Sequence, residues 1–186
     1  MKGRLPMGVL SLVASLGFAQ SPPLDDQEVT KRWVKIQIIT SGENDTERSA
    51  HLKHHGMSQE GARKVAAYVQ EATADYNKWA SGYRDRVCDQ ASNLRAGGQE
   101  ALAQFFEQSR ATSASLRRTY LANTLELLTP ADQERLEHLI SDGPHGPKMQ
   151  VLSDRPDTAS LARTGGLTVE GVLKRNKCDV AEEAKQ

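Results

Sequence analysis

The chain has 186 residues, with 24 basic and 24 acidic side chains and a formal net charge of zero. That length suits one compact domain and is short for two, and a balanced charge argues against a nucleic-acid binder or a polybasic membrane binder, both of which need a cationic excess. Aromatic residues make up 5% and mean hydropathy is −0.59, so the core has to be built largely from Leu, Val, Ile and Ala.

The first nineteen residues read as an address. Lys2 and Arg4 form a positive start, Met7 to Phe18 carries no charge, and Gly17-Phe18-Ala19 offers small residues three and one positions before a cut, with Gln20 as the new N-terminus. This is the layout of a secretory signal peptide. The apolar stretch is too short for a membrane span, which needs about 20 apolar residues. The expectation is a bacterial, periplasmic or secreted chain without an integral membrane anchor. Removing residues 1–19 takes away Lys2 and Arg4 and no acid, so the balance moves to 22 basic against 24 acidic.

Export decides how the two cysteines read. Cys88 and Cys178 are the only pair, and exported compartments are oxidising, so a disulfide tying the C-terminal tail to the body is expected. No C-x-x-C motif suggests redox catalysis or a thiolate metal site.

In the mature chain, Asp25-Asp26-Gln27-Glu28 suits the first turn of a helix. Val29, Trp33 and Ile36 follow at helical spacing, while Val34, Ile36 and Ile38 alternate as in a strand. The acidic start and the longer period favour a helix over 25–41. Ser41 to Asp45 reads as a polar loop.

Ser58 is a candidate N-cap for the clearest helix. Val65, Val69, Ala72, Tyr76, Trp79 and Tyr83 step by four, three, four, three and four, which is a coiled-coil seam. Val87, Ala91 and Leu94 continue it after a shift of one residue. The pattern predicts one rod to about Leu94 or Arg95, with Gly61 and Gly82 as weak points and Gly97-Gly98 as the stop.

A second long helix follows, with Leu102, Phe105 or Phe106, Ser109, Ser113, Leu116, Tyr120, Thr124 and Leu127 on its seam. A short Gly turn between two long helices makes an antiparallel hairpin. The middle of the second seam is small and polar, suited either to close backbone approach or to weak packing. Thr129, Pro130 and Asp132 then open a third helix, with Leu136, Leu139 and Ile140 as its buried face, ending near Asp142. Residues 143–167 read as largely irregular. Thr168 caps a short helix over 169–175, and Val180 to Gln186 read as a frayed end. The fold class is therefore all-α: a helical domain over 20–142, built on a long antiparallel hairpin with shorter flanking helices, and a mostly irregular, disulfide-tethered tail over 143–186.

Chemistry-bearing patterns are few. His51, His54 and His55 form H-x-x-H-H, and on a helix the first imidazole reaches the other two; three neutral nitrogens would make a partial site for zinc, copper or nickel. Glu134 and His138, one turn apart, are a second pair, with His145 beyond. There is no G-x-S-x-G, P-loop or G-x-G-x-x-G motif and no Cys set beside a His, so an enzyme is not expected. Tyr76, Trp79, Tyr83, Phe105, Phe106, Leu116 and Tyr120 are the expected core or partner surface.

Met57-Ser58-Gln59-Glu60 and Leu128-Thr129-Pro130-Ala131 open helices with the same order of apolar residue, hydroxyl cap and helix-compatible turn. With the export signal and the hairpin, this resembles the periplasmic Spy/CpxP-like family, whose members carry paired L-T-x-x-Q motifs at helix starts. The resemblance covers roughly residues 57–141. Gly61 and Asp132 stand where the motif has Gln, and Met57 and Ser58 replace its Leu and Thr. The resemblance implies a thin, curved helical dimer that binds exposed apolar segments or envelope-stress partners, with metal responsiveness in some members. Two functions are carried forward. One is a non-enzymatic exported protein that binds a protein partner or a second copy of itself. The other is a metal sensor or buffer using the His cluster.

Overall fold

The computed structural model describes residues 24–142 and 158–178. The expected signal peptide, the 143–157 segment and the extreme C-terminus lie outside them. The fold is all-α, and no strand occurs among the described residues. Nor is any described helix long and apolar enough to cross a membrane.

Helix α1 (Asp26–Ile39) is helical over the stretch that also alternates like a strand. Asp25 caps it by accepting the Glu28 N–H at 2.7 Å. Val29, Trp33 and Ile36 are buried while Ile38 is 47% exposed, so the period is that of a helix. The stretch after Ser41 contains an element that the sequence pattern did not reveal. Asn44 caps α2 (Asp45–His54), a polar helix whose one large buried residue is Leu52.

Ser58 caps α3 (Gln59–Ser81), as its spacing predicts. The expected single rod is broken, however. Gly82 leaves helical geometry (ψ 5°) before α4 (Tyr83–Asp89), and Gln90 does the same before α5 (Ala91–Glu126). Glycine's weak helix propensity makes Gly82 a natural break. The Gly97-Gly98 stop is a sharp bend inside α5, where Gly98 takes φ 61° and ψ −141°. That backbone conformation favours a residue without Cβ. The chain then reverses, and the second arm of α5 runs back along α4 and α3. Tyr68 meets Asn123 and Tyr76 meets Ser113, so the arms are antiparallel. Helix α6 (Pro130–Asp142) buries Leu136, Leu139 and Ile140 as expected.

Two apolar clusters result. The lower one joins α1, α2, the first half of α3, the end of α5 and α6, around Trp33, Ile36, Leu52, Val65 and Leu136. The upper one joins α4, the Gly98 bend and the C-terminal unit, around Val87, Leu94, Leu102, Phe106 and Leu173. The one-residue shift in the first seam falls between them: Val65, Val69 and Ala72 belong to the lower cluster, Val87, Ala91 and Leu94 to the upper. Leu127 departs from its expected seam and is 39% exposed, while Leu128 is buried in its place.

The C-terminal unit is more ordered than its composition suggests. Helix α7 (Thr158–Arg163) occupies part of the stretch that reads as irregular, burying the small residues Ala159 and Ala162. Thr168 caps α8 (Val169–Arg175), accepting from the Gly171 N–H at 3.1 Å. Arg84 donates to the Asn176 carbonyl at 2.9 Å, and Cys88 and Cys178 form the expected disulfide, Cα atoms 5.0 Å apart.

The bridge closes a loop of 90 residues, so on the chain-entropy account it contributes about 4–5 kcal/mol. The oxidised protein should weigh two hydrogens less than the dithiol. A Cys88→Ser, Cys178→Ser variant should lose hydrogen-exchange protection first in α7 and α8, with α1 and α6 still protected. Uniform loss across all helices would refute the division into two clusters.

Candidate functional site

Three polar constellations stand out, and the first joins the two similar helix starts. Asp132 is 3% exposed. Its carboxylate accepts from the Ser58 N–H at 2.8 Å and the Ser58 hydroxyl at 2.6 Å. It also receives the Thr129 hydroxyl at 3.2 Å, while its own N–H donates to Thr129 Oγ1 at 3.2 Å. The acid expected to complete the cap of α6 therefore also caps the entry to α3. Gly61 makes room for it: a Cβ there would lie 2.5 Å from Asp132 Oδ2. The two positions that depart from the L-T-x-x-Q pattern are thus fitted to each other. The Ser58 hydroxyl bond, with the backbone and Thr129 bonds behind it, holds the Asp132 carboxyl below its ordinary pKa.

The second constellation is the His cluster at the end of α2. The His51 and His55 rings lie 4.6 Å apart and those of His54 and His55 5.4 Å. His55 therefore faces both other rings, where the sequence expectation has His51 reaching the other two. Yet among the described residues no group of three or more His, Cys, Asp or Glu is placed to hold a metal ion. His145 lies outside the described residues. Burial, then the neighbouring imidazoles of His55 and His54, pushes the His51 pKa below the usual histidine value.

The third lies between the two clusters, where α3 and α5 face each other through hydrogen bonds instead of packed apolar groups. Tyr76 Oη lies 2.9 Å from Ser113 Oγ and accepts from Arg117 Nη2 at 2.6 Å, and the same guanidinium sits 4.9 Å from the Tyr76 ring centre. Arg117 Nη1 also reaches Thr30 on α1 at 3.2 Å. Tyr120 donates to Asp75 at 2.6 Å; burial and that carboxylate push its pKa well up. The small polar middle of the second seam is only partly packed, with Thr112 exposed and Ser109 and Ser113 half-buried. Ser113 completes this network, and Ser109 and Thr112 line a cleft beside it.

That cleft, of about 480 Å³, runs along the face of the hairpin from Trp79 toward the Gly98 bend. One wall comes from α4 and the start of α5, with Arg86, Asp89, Gln90 and Asn93. The other comes from the returning arm, with Gln104, Gln108 and Thr112. Trp79, Ala101 and Phe105 contribute the apolar surface between them. Arg86 lies 4.6 Å above the Trp79 ring and donates to the Trp79 carbonyl at 2.6 Å, which fixes both groups. The volume falls in the range of about 300–1,000 Å³ typical of small ligand sites.

Of the expected core or partner residues, Phe106 and Tyr120 are core, Tyr76 and Leu116 pack half-buried against the lower cluster, and Tyr83 packs against Phe105 at the upper one. Trp79 and Phe105 alone reach the cleft. The polar cleft residues Gln90, Asn93, Gln104 and Gln108 were not singled out by sequence; their spacings of three and of four residues are the signal that could have found them. No protein-family model, no curated protein and no solved structure matched the chain in comparison.

Asp132→Ala should cost about 1–3 kcal/mol, because it leaves the Ser58 N–H without its acceptor at a closed helix junction. Gly61→Ala should destabilise in the same direction through the Asp132 clash, and the two effects should be less than additive in a double-mutant cycle from chemical denaturation. Full additivity would sever the proposed link. The His51 shift predicts a pH effect of defined sign. Its folded pKa is depressed, so the unfolded chain takes up the proton first. The stability from neutral His51 is present above about pH 6.5 and is lost as pH falls through the folded value. Thermal melts from pH 7 to 5 should therefore fall more steeply for the wild type than for His51→Gln; parallel profiles would exclude a role for His51.

Proposed function

We propose that this is an exported, non-enzymatic helical protein that acts by binding another protein, as a chaperone-like or accessory factor in the bacterial periplasm or outside the cell. The observation that carries this reading is the open cleft on the hairpin. One face of the α4–α5 bend is covered by α7 and α8, whereas the other holds two half-buried aromatic rings between polar walls. A half-exposed Trp beside a fixed Arg has the composition of interface anchors. The intramolecular disulfide is compatible with an oxidising compartment, which supports export. The likeness of the two helix starts to the Spy/CpxP-like motifs points the same way.

The test is photo-cross-linking. A photoreactive residue at position 108 should give discrete protein adducts in the compartment that holds the chain. Those adducts should fall at least tenfold in a Trp79→Ala, Phe105→Ala variant whose helicity is unchanged. An adduct at twice the chain's own mass identifies the partner as a second copy. Absence of any adduct from position 108 and from the cleft position 101 alike, with efficient adducts from an exposed control such as Gln70, would sink the reading.

A further inference from the structure

We propose that the cleft binds an extended, uncharged peptide segment of its partner chiefly through that segment's main chain. This rests on the protein-binding reading and names the chemistry of the partner.

Gln104, Gln108 and Thr112 follow one another at i, i+4 and i+8 along a single helical arm. Their rise is about 6 Å per step. An extended chain presents peptide groups to the same side every two residues, about 6.7 Å apart. Over two steps the mismatch is about 1.4 Å, which side-chain rotation can absorb. A side-chain amide both donates and accepts, so each Gln can answer an N–H or a C=O without regard to the side chain beside it. On the facing wall Gln90 and Asn93, three residues apart at the start of α5, supply two more side-chain amides, and Asn93 donates to Gln90 at 2.8 Å, which orients the pair. A strand laid between the walls would expose one edge of its backbone to each.

Three further features favour this occupant. Gln104 donates to Glu100 at 3.2 Å and the Thr112 hydroxyl to the Gln108 carbonyl at 2.9 Å, which leaves the Gln104 amide oxygen and the Thr112 hydroxyl oxygen to accept main-chain N–H groups. Arg86 and Asp89, the two charged lining residues, have opposite signs, so no net field selects a charged strand. The aliphatic lining is Ala101 and Leu94, the latter 2% exposed, so no aliphatic pocket is open to select a Leu or Val side chain. Trp79 and Phe105 supply a flat surface on which small side chains can rest.

The test titrates the oxidised full chain with a twelve-residue peptide of Gly, Ala, Ser and Thr, followed by NMR of the side-chain amides. The Gln104 and Gln108 NH₂ signals should shift. The same peptide N-methylated at alternate residues keeps its side chains and loses half its N–H donors, and should bind at least tenfold more weakly. A Gln104→Leu, Gln108→Leu variant should lose a similar factor toward the parent peptide, whereas Gln70→Leu should not. Equal binding of the methylated peptide, or an unaffected double variant, overturns the proposal. So does a silent peptide, including the case in which a neutral trisaccharide such as maltotriose moves the same signals. Adducts at position 108 with no peptide response would leave the protein-binding reading standing and remove this one. Peptide binding without adducts would remove the protein-binding reading and, with it, the partner segment named here.

Discussion

One constraint governs this fold: a chain poor in aromatic residues divides its apolar groups into two clusters, and a single bent helix serves both. Leu102, Ala103 and Phe106 of α5 face the upper cluster, while Tyr120 and Leu121 face the lower. Between them the same helix presents Ser109, Thr112 and Ser113. No apolar seam crosses that gap. The arms are held together there by Tyr76, Arg117 and Ser113, whose bonds fix geometry more than they add net stability.

Each cluster then needs its own closure. The upper one is rich in small side chains and draws on two short helices whose inner residues include Ala159, Ala162 and Val172. Such a unit buries too little surface to hold itself in place. The Cys88–Cys178 bridge supplies the missing restraint by limiting the unfolded chain, not by adding contacts. The lower cluster has a different closure. Asp132 ties the first turns of α3 and α6 together, so the two helices that bracket the hairpin enter the cluster at a fixed relation. A buried carboxylate is costly unless its charge is met by donors, and here two come from Ser58 and a third from Thr129.

Much of this was legible in the sequence, for reasons that differ by element. Caps announced themselves at Ser58, Thr129 and Thr168 because one hydroxyl and one N–H three residues on are a local matter. The disulfide followed from having two cysteines in a chain whose sequence is expected to direct export. Helix α2 was missed because its sequence is almost wholly polar and its burial rests on Leu52, which no period reveals. The α7 turn was missed for a similar reason, since Ala159 and Ala162 carry little hydrophobic signal. The break at Gly82 was visible as a weak point, but the heptad seam ran through it. Only the change of cluster shows why Tyr76, Trp79 and Tyr83 sit on the seam without being fully buried. The Asp132–Ser58 contact spans 74 residues and could not be read from either helix start alone.

The cleft follows from the same division. Once the seam changes partner between Ala72 and Val87, the residues between must face something other than a core. Trp79 is held between Arg86 and the Tyr76 ring, 5.5 Å away, and Phe105 is braced edge-on by Phe106 at 5.8 Å. Two rings are thereby kept at the surface by rigid supports, with little rotamer freedom left to lose on binding. The Gly98 bend sets the angle of the two walls, and the disulfide-held unit buttresses the bend from behind. A discontinuity that weakens the hairpin as a coiled coil therefore leaves it with a preformed groove of mixed polar and apolar lining.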